Sequence, residues 1–129
     1  FDVRAATAED LEACNALCRK IHGHDRHGHL ADAIPQGTAM VVERDGQLTG
    51  YTSMIGFFGH SVAETNDDLK ALISAADEFA GPGFHVPSRN AELMRWCFDQ
   101  GLRIRQPMTL MSIGPYQEPS AAFLPSVIF

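Results

Sequence analysis

The sequence predicts an α/β domain, because short apolar strands alternate with amphipathic helices along the chain. The clearest example is the stretch from Gly83 to Gly114. It begins with a strand over Gly83–Val86, continues with a helix, and ends with a strand-like run from Leu102 to Ser112. With 129 residues, the chain has the length of one domain with its own core.

The helix of this stretch is marked at both ends and along one face. Either Ser88 or Asn90 caps its N-terminus, and Gly101 occupies the position of a left-handed C-cap. Its apolar residues have helical spacing and are Leu93, Met94, Cys97 and Phe98. We therefore expect this face to pack against the core.

The first half of the chain predicts a strand, a helix and a β-hairpin. Asp2–Ala6 has the pattern of a short strand, and the spacing of Thr7 and Asp10 indicates a capping box at the start of the next helix. Two strands follow, over Thr38–Glu43 and Gln47–Phe58. The turn signal Asp-Gly at positions 45 and 46 joins them.

A third helix and an apolar tail complete the predicted elements. The helix begins at Thr65 or Asn66, where Thr65 and Asp68 again have capping-box spacing, and ends near Phe79. The tail Gln117–Phe129 ends in an apolar segment, which predicts a docked strand or a contact with another domain or subunit.

Composition argues against several classes of function. A net charge of −6 argues against nucleic acid and anionic membranes as partners. No apolar run approaches the roughly 18 residues of a membrane span, and no signal peptide is visible. The three cysteines lie on apolar helix faces, which predicts reduced, buried thiols in a cytoplasmic protein; they are Cys14, Cys18 and Cys97.

One spacing resembles a known family. Asn90 is followed eleven residues later by Gly101 and then by the apolar Leu102, which is similar to the end of the GNAT superfamily of N-acetyltransferases. The longer run VPSRNAELMRWCFDQGLRIRQPMTLMSIGPY resembles the C-terminal repeat of bacterial tandem-GNAT proteins. This resemblance implies a GNAT-like (acyl-CoA N-acyltransferase) fold: a mixed, twisted sheet with helices on both faces. Since the chain begins at Phe1, we also expect an upstream domain in a longer polypeptide.

The resemblance implies an acetyl-CoA site at the start of the third helix. Members of the family hold the pyrophosphate there on glycines and an arginine, whereas positions 63–69 read AETNDDL and are acidic. Thr65 and Asn66 are the candidate contacts at this helix start. The resemblance adds the backbone N–H groups of Met54, Ile55 and Gly56 as donors to the thioester carbonyl.

The same resemblance implies two catalytic candidates. Glu64 occupies the place of a base that acts through water, although acidic stabilisation of the helix start is the alternative. The family's usual tyrosine position is Cys97 here, which leaves Tyr116 as the candidate proton donor. Asn90 is either the N-cap of its helix or a CoA contact.

A histidine-rich segment allows three interpretations. Four histidines and Asp25 lie between His22 and His29, ahead of a short helix predicted over Leu30–Ile34. The segment is a solvated loop, a rim of the acceptor pocket as the resemblance implies, or a metal site. The spacing matches no specific zinc motif, so we favour no metal.

Two functions follow from these observations. The first is an N-acetyltransferase that moves an acetyl group from acetyl-CoA to a small-molecule primary amine. The second is a non-catalytic repeat that binds a ligand, forms a homodimer, or docks with an upstream catalytic domain. The unmatched phosphate cradle and tyrosine favour the second function for this segment.

Overall fold

The computed structural model describes residues 2–23, 27–56, 58–76, 79, 83–104 and 121–125, without the side chains of His27 and His29. Its helices are α1 (Leu11–His22), α2 (His27–Gln36), α3 (Asn66–Ala75) and α4 (Ala91–Asp99), with a 3₁₀ turn over Ala8–Asp10. Its strands are β1 (Asp2–Ala5), β2 (Met40–Arg44), β3 (Gln47–Thr52), β4 (Ser61–Ala63) and β5 (Ala122–Leu124).

The five described strands form one sheet in chain order, and every neighbouring pair is antiparallel. The predicted fold class, a GNAT-like mixed sheet, was therefore wrong, because a mixed sheet requires at least one parallel pair. The place beside β4 is taken by β5, whose Phe123 lies opposite Val62. Strand β5 overlaps the predicted apolar end of the tail at Leu124, and residues 126–129 of that end lie outside the described part.

The sheet separates two apolar clusters that alternate residue by residue along its strands. Val41, Val62 and Phe123 belong to the cluster that includes the buried residues of α1 and α2. Their neighbours Val42 and Ala63 belong to the cluster formed with α3 and α4. This alternation follows from the two-residue period of a strand. Both faces of the sheet are thus covered by a helix pair.

The β2–β3 hairpin forms where the Asp-Gly signal predicts it. Asp45 and Gly46 both have positive φ, 55° and 79°, as a tight hairpin turn requires. The strand register shifts between Val42 and Glu43. Gly50 lies opposite this shift, where an added Cβ would stand 2.9 Å from Val42 Cγ1. Only glycine fits there without displacing the neighbouring strand.

The predicted caps at the helix starts are confirmed, whereas α3 ends at Ala75 and not near Phe79 as predicted. Asn90 accepts a hydrogen bond from the Leu93 N–H, and Gly101 beyond α4 has φ 88°. Thr65 caps α3 by accepting from the Asp68 N–H. The Asp10 carboxylate accepts from the Thr7 N–H at 2.8 Å, as in the predicted capping box.

Several predicted strands differ from the structure. Residues 83–86 form no strand in the described part of the chain. The predicted strand over Gln47–Phe58 ends at Thr52, because the chain turns back and forms the unpredicted β4. Of the predicted run Leu102–Ser112, residues 102–104 form no strand, and residues 105–112 lie outside the described part. Helix α2 is longer than the predicted Leu30–Ile34.

Within the described part of the chain, no helix is long and apolar enough to cross a membrane. The three cysteines are free and buried, as the sequence predicts. Burial raises the pKa of Cys14 to about 12 and also raises that of Cys97. These thiols therefore serve as small apolar side chains of the core.

Candidate functional site

The predicted contact residues fall into two groups at opposite ends of β4. Met54, Ile55 and Gly56 lie in the turn between β3 and β4, whereas Thr65 and Asn66 follow the other end of β4. A strand of three residues spans roughly 10 Å. The two groups therefore lie apart, one at each end of β4.

Glu64 lies between two cations at the end of β4. Its Oε1 is 3.4 Å from Lys20 Nζ, and its Oε2 is 3.4 Å from Arg44 Nη2. The side chain is 37% exposed, so water reaches it. A base that acts through water needs this access, but both carboxylate oxygens already contact positive groups. Tyr116, the second catalytic candidate, lies outside the described residues.

The start of α3 is capped by its own side chains. The Thr65 hydroxyl accepts from the Asp68 N–H at 3.3 Å, and the Asp68 carboxylate accepts from the Thr65 N–H at 3.2 Å. Glu64, Asp67 and Asp68 surround this end with negative charge. A pyrophosphate needs free N–H groups and a positive field, so this helix start does not fit acetyl-CoA.

Asn66 and Asn90 form a reciprocal amide pair that joins the starts of α3 and α4. Asn66 Nδ2 donates to Asn90 Oδ1 at 3.0 Å, and Asn90 Nδ2 donates to Asn66 Oδ1 at 2.8 Å. Glu92 accepts from Asn66 and from Lys70, and the Lys70 ammonium lowers the pKa of the Glu92 carboxyl. Both candidate cofactor contacts are thus engaged in holding the two helices together.

Asp68 is a fully buried carboxylate that the sequence does not predict as buried. It accepts from the Thr49 hydroxyl at 2.8 Å and from the Thr65 hydroxyl at 2.8 Å. Arg44 Nη2 lies 3.5 Å from its Oδ2. These donors satisfy a charge that would otherwise be costly to bury, and they tie α3 to β2 and β3.

A cleft of about 250 Å³ lies between the end of α2 and the β3–β4 turn. Of the predicted contact residues, Met54 lines it. The other lining residues are Asp32, Ala33, Gln36, Thr38, Ser53 and Phe58. In the sequence, this region was marked by the histidine-rich segment and the helix that follows it. One interpretation of that segment was the rim of an acceptor pocket. It did not indicate which α2 residues face a cleft.

A buried polar chain fixes the turn beside this cleft. Tyr51 Oη and His60 Nε2 share a hydrogen bond of 2.7 Å, and both side chains are buried. Across the turn, the Ser53 N–H donates to the His60 carbonyl at 3.0 Å. The His60 N–H in turn donates to the Ser53 hydroxyl at 3.0 Å. An alanine Cβ at Gly59 would overlap the Met54 carbonyl. The turn therefore has one defined conformation.

The structure describes too little of the histidine-rich segment to test a metal site there. Residues 24–26 and the side chains of His27 and His29 lie outside the described part. Among the residues that are described, no group of three histidine, cysteine or acidic side chains could hold a metal ion.

Comparison with known proteins provides a fold relationship only. Neither the known family models nor the curated protein sequences match this chain. Two solved structures of the protein TTHA1254 from Thermus thermophilus, a point mutant and the wild type, superpose with TM-scores of 0.62 and 0.61. Each shares 16% sequence identity and aligns over 91% of this chain and 100% of that chain. At this identity the similarity shows a shared fold and does not bear on activity.

Proposed function

We propose that this chain is an N-acetyltransferase that binds a small molecule with a primary amine. The amine would be the acceptor of an acetyl group from acetyl-CoA. The observation that supports amine binding is the cleft beside α2. Its lining residues include Asp32, Gln36 and Thr38, which carry a carboxylate, an amide and a hydroxyl. An ammonium group has three donors and no acceptor, so oxygen acceptors of this kind match it.

The transfer of an acetyl group is supported by the sequence resemblance around Asn90 and Gly101. Acetyl-CoA would supply the acetyl group. Because the start of α3 does not fit its pyrophosphate, we assign it no contact there and derive no catalytic step through it. The free, buried cysteines favour a cytoplasmic location within this proposal.

The second candidate is a non-catalytic binding domain. The capped, acidic start of α3 and the ion-paired Glu64 favour it, because the capping side chains and Glu64 have structural partners within the chain. In this case a second copy or an upstream domain would carry the acetyl-CoA site, and this chain would bind the amine or dock onto that domain.

A pair of assays separates the two candidates. Nuclear magnetic resonance titration with a panel of primary amines should shift the signals of Ser53 and Met54. Incubation with acetyl-CoA and the same amines, followed by mass spectrometry, should detect the acetylated amine if this chain is catalytic. Amine binding without product or acetyl-CoA binding would support the second candidate. No amine-dependent shift would refute both proposals for this cleft.

The role of Glu64 is tested in the same acetylation assay. If Glu64 is the base, Glu64→Gln should lower turnover on the order of 10²-fold or more. Lys20→Met is the matched control, since it removes one ion pair of Glu64 but keeps the carboxylate. Equal turnover in the wild type and in Glu64→Gln would exclude a catalytic carboxylate here.

A further inference from the structure

The cleft beside α2 combines one carboxylate with an exposed aromatic ring. Asp32 is the charged residue of its lining, and no lysine or arginine lines it among the described residues. Asp32 has no ion pair or hydrogen bond to another side chain in the described part of the structure. Asp32 is exposed, so a ligand can reach its carboxylate.

Phe58 supplies the apolar part of the same lining. Phe58 is 55% exposed, and Met54 and Ala33 lie along the same cleft. The face of an aromatic ring attracts a cation, and the ring also packs against the apolar body of a ligand. Asp32 and Phe58 thus both favour a cation with an apolar body.

The cleft volume limits the size of this molecule. The cleft measures about 250 Å³. Pockets for drug-sized ligands usually measure about 300–1,000 Å³. The cleft therefore suits a compact ligand rather than a peptide or a nucleotide.

We propose that the ligand of this cleft is a compact organic monoamine cation whose ammonium group meets Asp32 and whose apolar or aromatic body contacts Phe58. This proposal rests on the proposed function and specifies its acceptor class. A neutral or anionic molecule of the same shape would lose the carboxylate contact, and an anion would be repelled by it.

The test compares three probes of similar shape by nuclear magnetic resonance titration at the same salt concentration. They are phenethylamine, the neutral 2-phenylethanol and the anionic 3-phenylpropanoate. We expect the amine to bind most tightly and the anion most weakly. For an exposed charge pair, Asp32→Asn should weaken amine binding about threefold to fivefold and leave the alcohol unchanged. Phe58→Leu should weaken it about twofold to fivefold.

Matched control variants lie on α4, away from the cleft lining. Asp99→Asn removes the same charge, and Phe98→Leu alters another exposed phenylalanine, 46% exposed. Neither should change the affinity for the amine. Equal affinity for amine and alcohol, or an equal effect of Asp99→Asn and Asp32→Asn, would overturn the cation proposal while keeping a small-molecule cleft. Absence of shifts with all three probes would instead refute the cleft as a binding site.

Discussion

At the scale of single residues, the carboxylate of Asp68 stands out because it is a buried acidic group. It is fully buried and depends on hydroxyl and amide donors from Thr49 and Thr65. Arg44 lies at the edge of hydrogen-bonding distance, at 3.5 Å. The short bond from Thr49 is thus the closest link between this charge and the sheet.

We predict that Thr49→Val destabilises the protein by about 1–3 kcal/mol, because it removes a donor to a buried carboxylate while nearly preserving side-chain volume. Urea denaturation followed by circular dichroism measures the free energy of unfolding. Thr38→Val is the control, since the Thr38 hydroxyl donates only to a backbone carbonyl at 3.4 Å. Similar costs for the two variants would show that Asp68 does not depend on Thr49.

At the scale of elements, the amide pair between Asn66 and Asn90 joins the starts of α3 and α4. Asn90 has two roles, because it caps α4 through the Leu93 N–H and pairs with Asn66. The sequence predicts the cap, which depends on residues three apart. It does not predict the pair, which depends on residues that are 24 positions apart.

We predict that Asn90→Ala costs about 1–2 kcal/mol, the usual range for loss of an N-cap, and that Asn66→Ala costs less. The double variant should cost less than the sum, with a coupling energy of about 0.5 kcal/mol or more, because both changes break the same pair. Denaturant titration of the wild type, the two single variants and the double variant measures this coupling energy in a double-mutant cycle. Strict additivity would mean that the amide pair contributes nothing to holding α3 and α4 together.

A second junction ties β1, the 3₁₀ turn and β2 through Arg4. Its guanidinium donates to both Asp10 oxygens, at 2.7 and 2.8 Å, and to Glu43 at 2.7 Å. These hydrogen bonds from Arg4 hold the pKa of Asp10 well below its ordinary value. A carboxyl with a lowered pKa in the folded state stabilises the fold when it is ionised.

We predict a pH-dependent stability from this junction. The contribution of Asp10 is complete above its unfolded pKa of about 4 and is lost as the pH falls towards the lower folded value. The stability gap between the wild type and Asp10→Asn should therefore be largest near pH 7 and shrink below about pH 4. Denaturation at several pH values measures it, with Glu12→Gln as an exposed control. A constant gap would contradict the role of Arg4.

At the scale of the whole molecule, the sheet is the layer on which both cores depend. Its edge strand β5 supplies Phe123 to the core with α1 and α2, and Ala122 and Leu124 to the core with α3 and α4. The three residues of β5, which lie far along the chain from the other strands, thus contribute to both cores. Removal of a large side chain from this strand should loosen the core that it fills.

We predict that Phe123→Ala costs about 3–5 kcal/mol, as is usual for loss of a buried phenylalanine ring. Phe98→Ala, at an exposed position on α4, should cost less than about 1 kcal/mol. Thermal and chemical denaturation of the two variants measure this difference. A small effect of Phe123→Ala would mean that β5 is not a stable part of the sheet.

Local signals in the sequence determined the helix caps, the Asp45-Gly46 turn and part of the apolar face of α4, where Leu93 and Cys97 are buried but Phe98 is exposed. These features depend on residues within about four positions of one another, so their physical causes are visible in the sequence itself. Capping by Thr65 and Asn90 was predictable for this reason. The alternation of Val41 and Val42 between the two cores also follows from the strand period once the strand is known.

Tertiary structure decided the direction and order of the strands, the burial of Asp68, the Asn66–Asn90 pair and the cleft beside α2. Each of these depends on residues far apart in the chain. Nothing local to Ala122–Leu124 specifies that this segment, rather than residues 83–86, pairs with β4. Strand pairing is selected by how well both faces of the finished sheet are covered, and this free energy belongs to the whole fold rather than to any single segment.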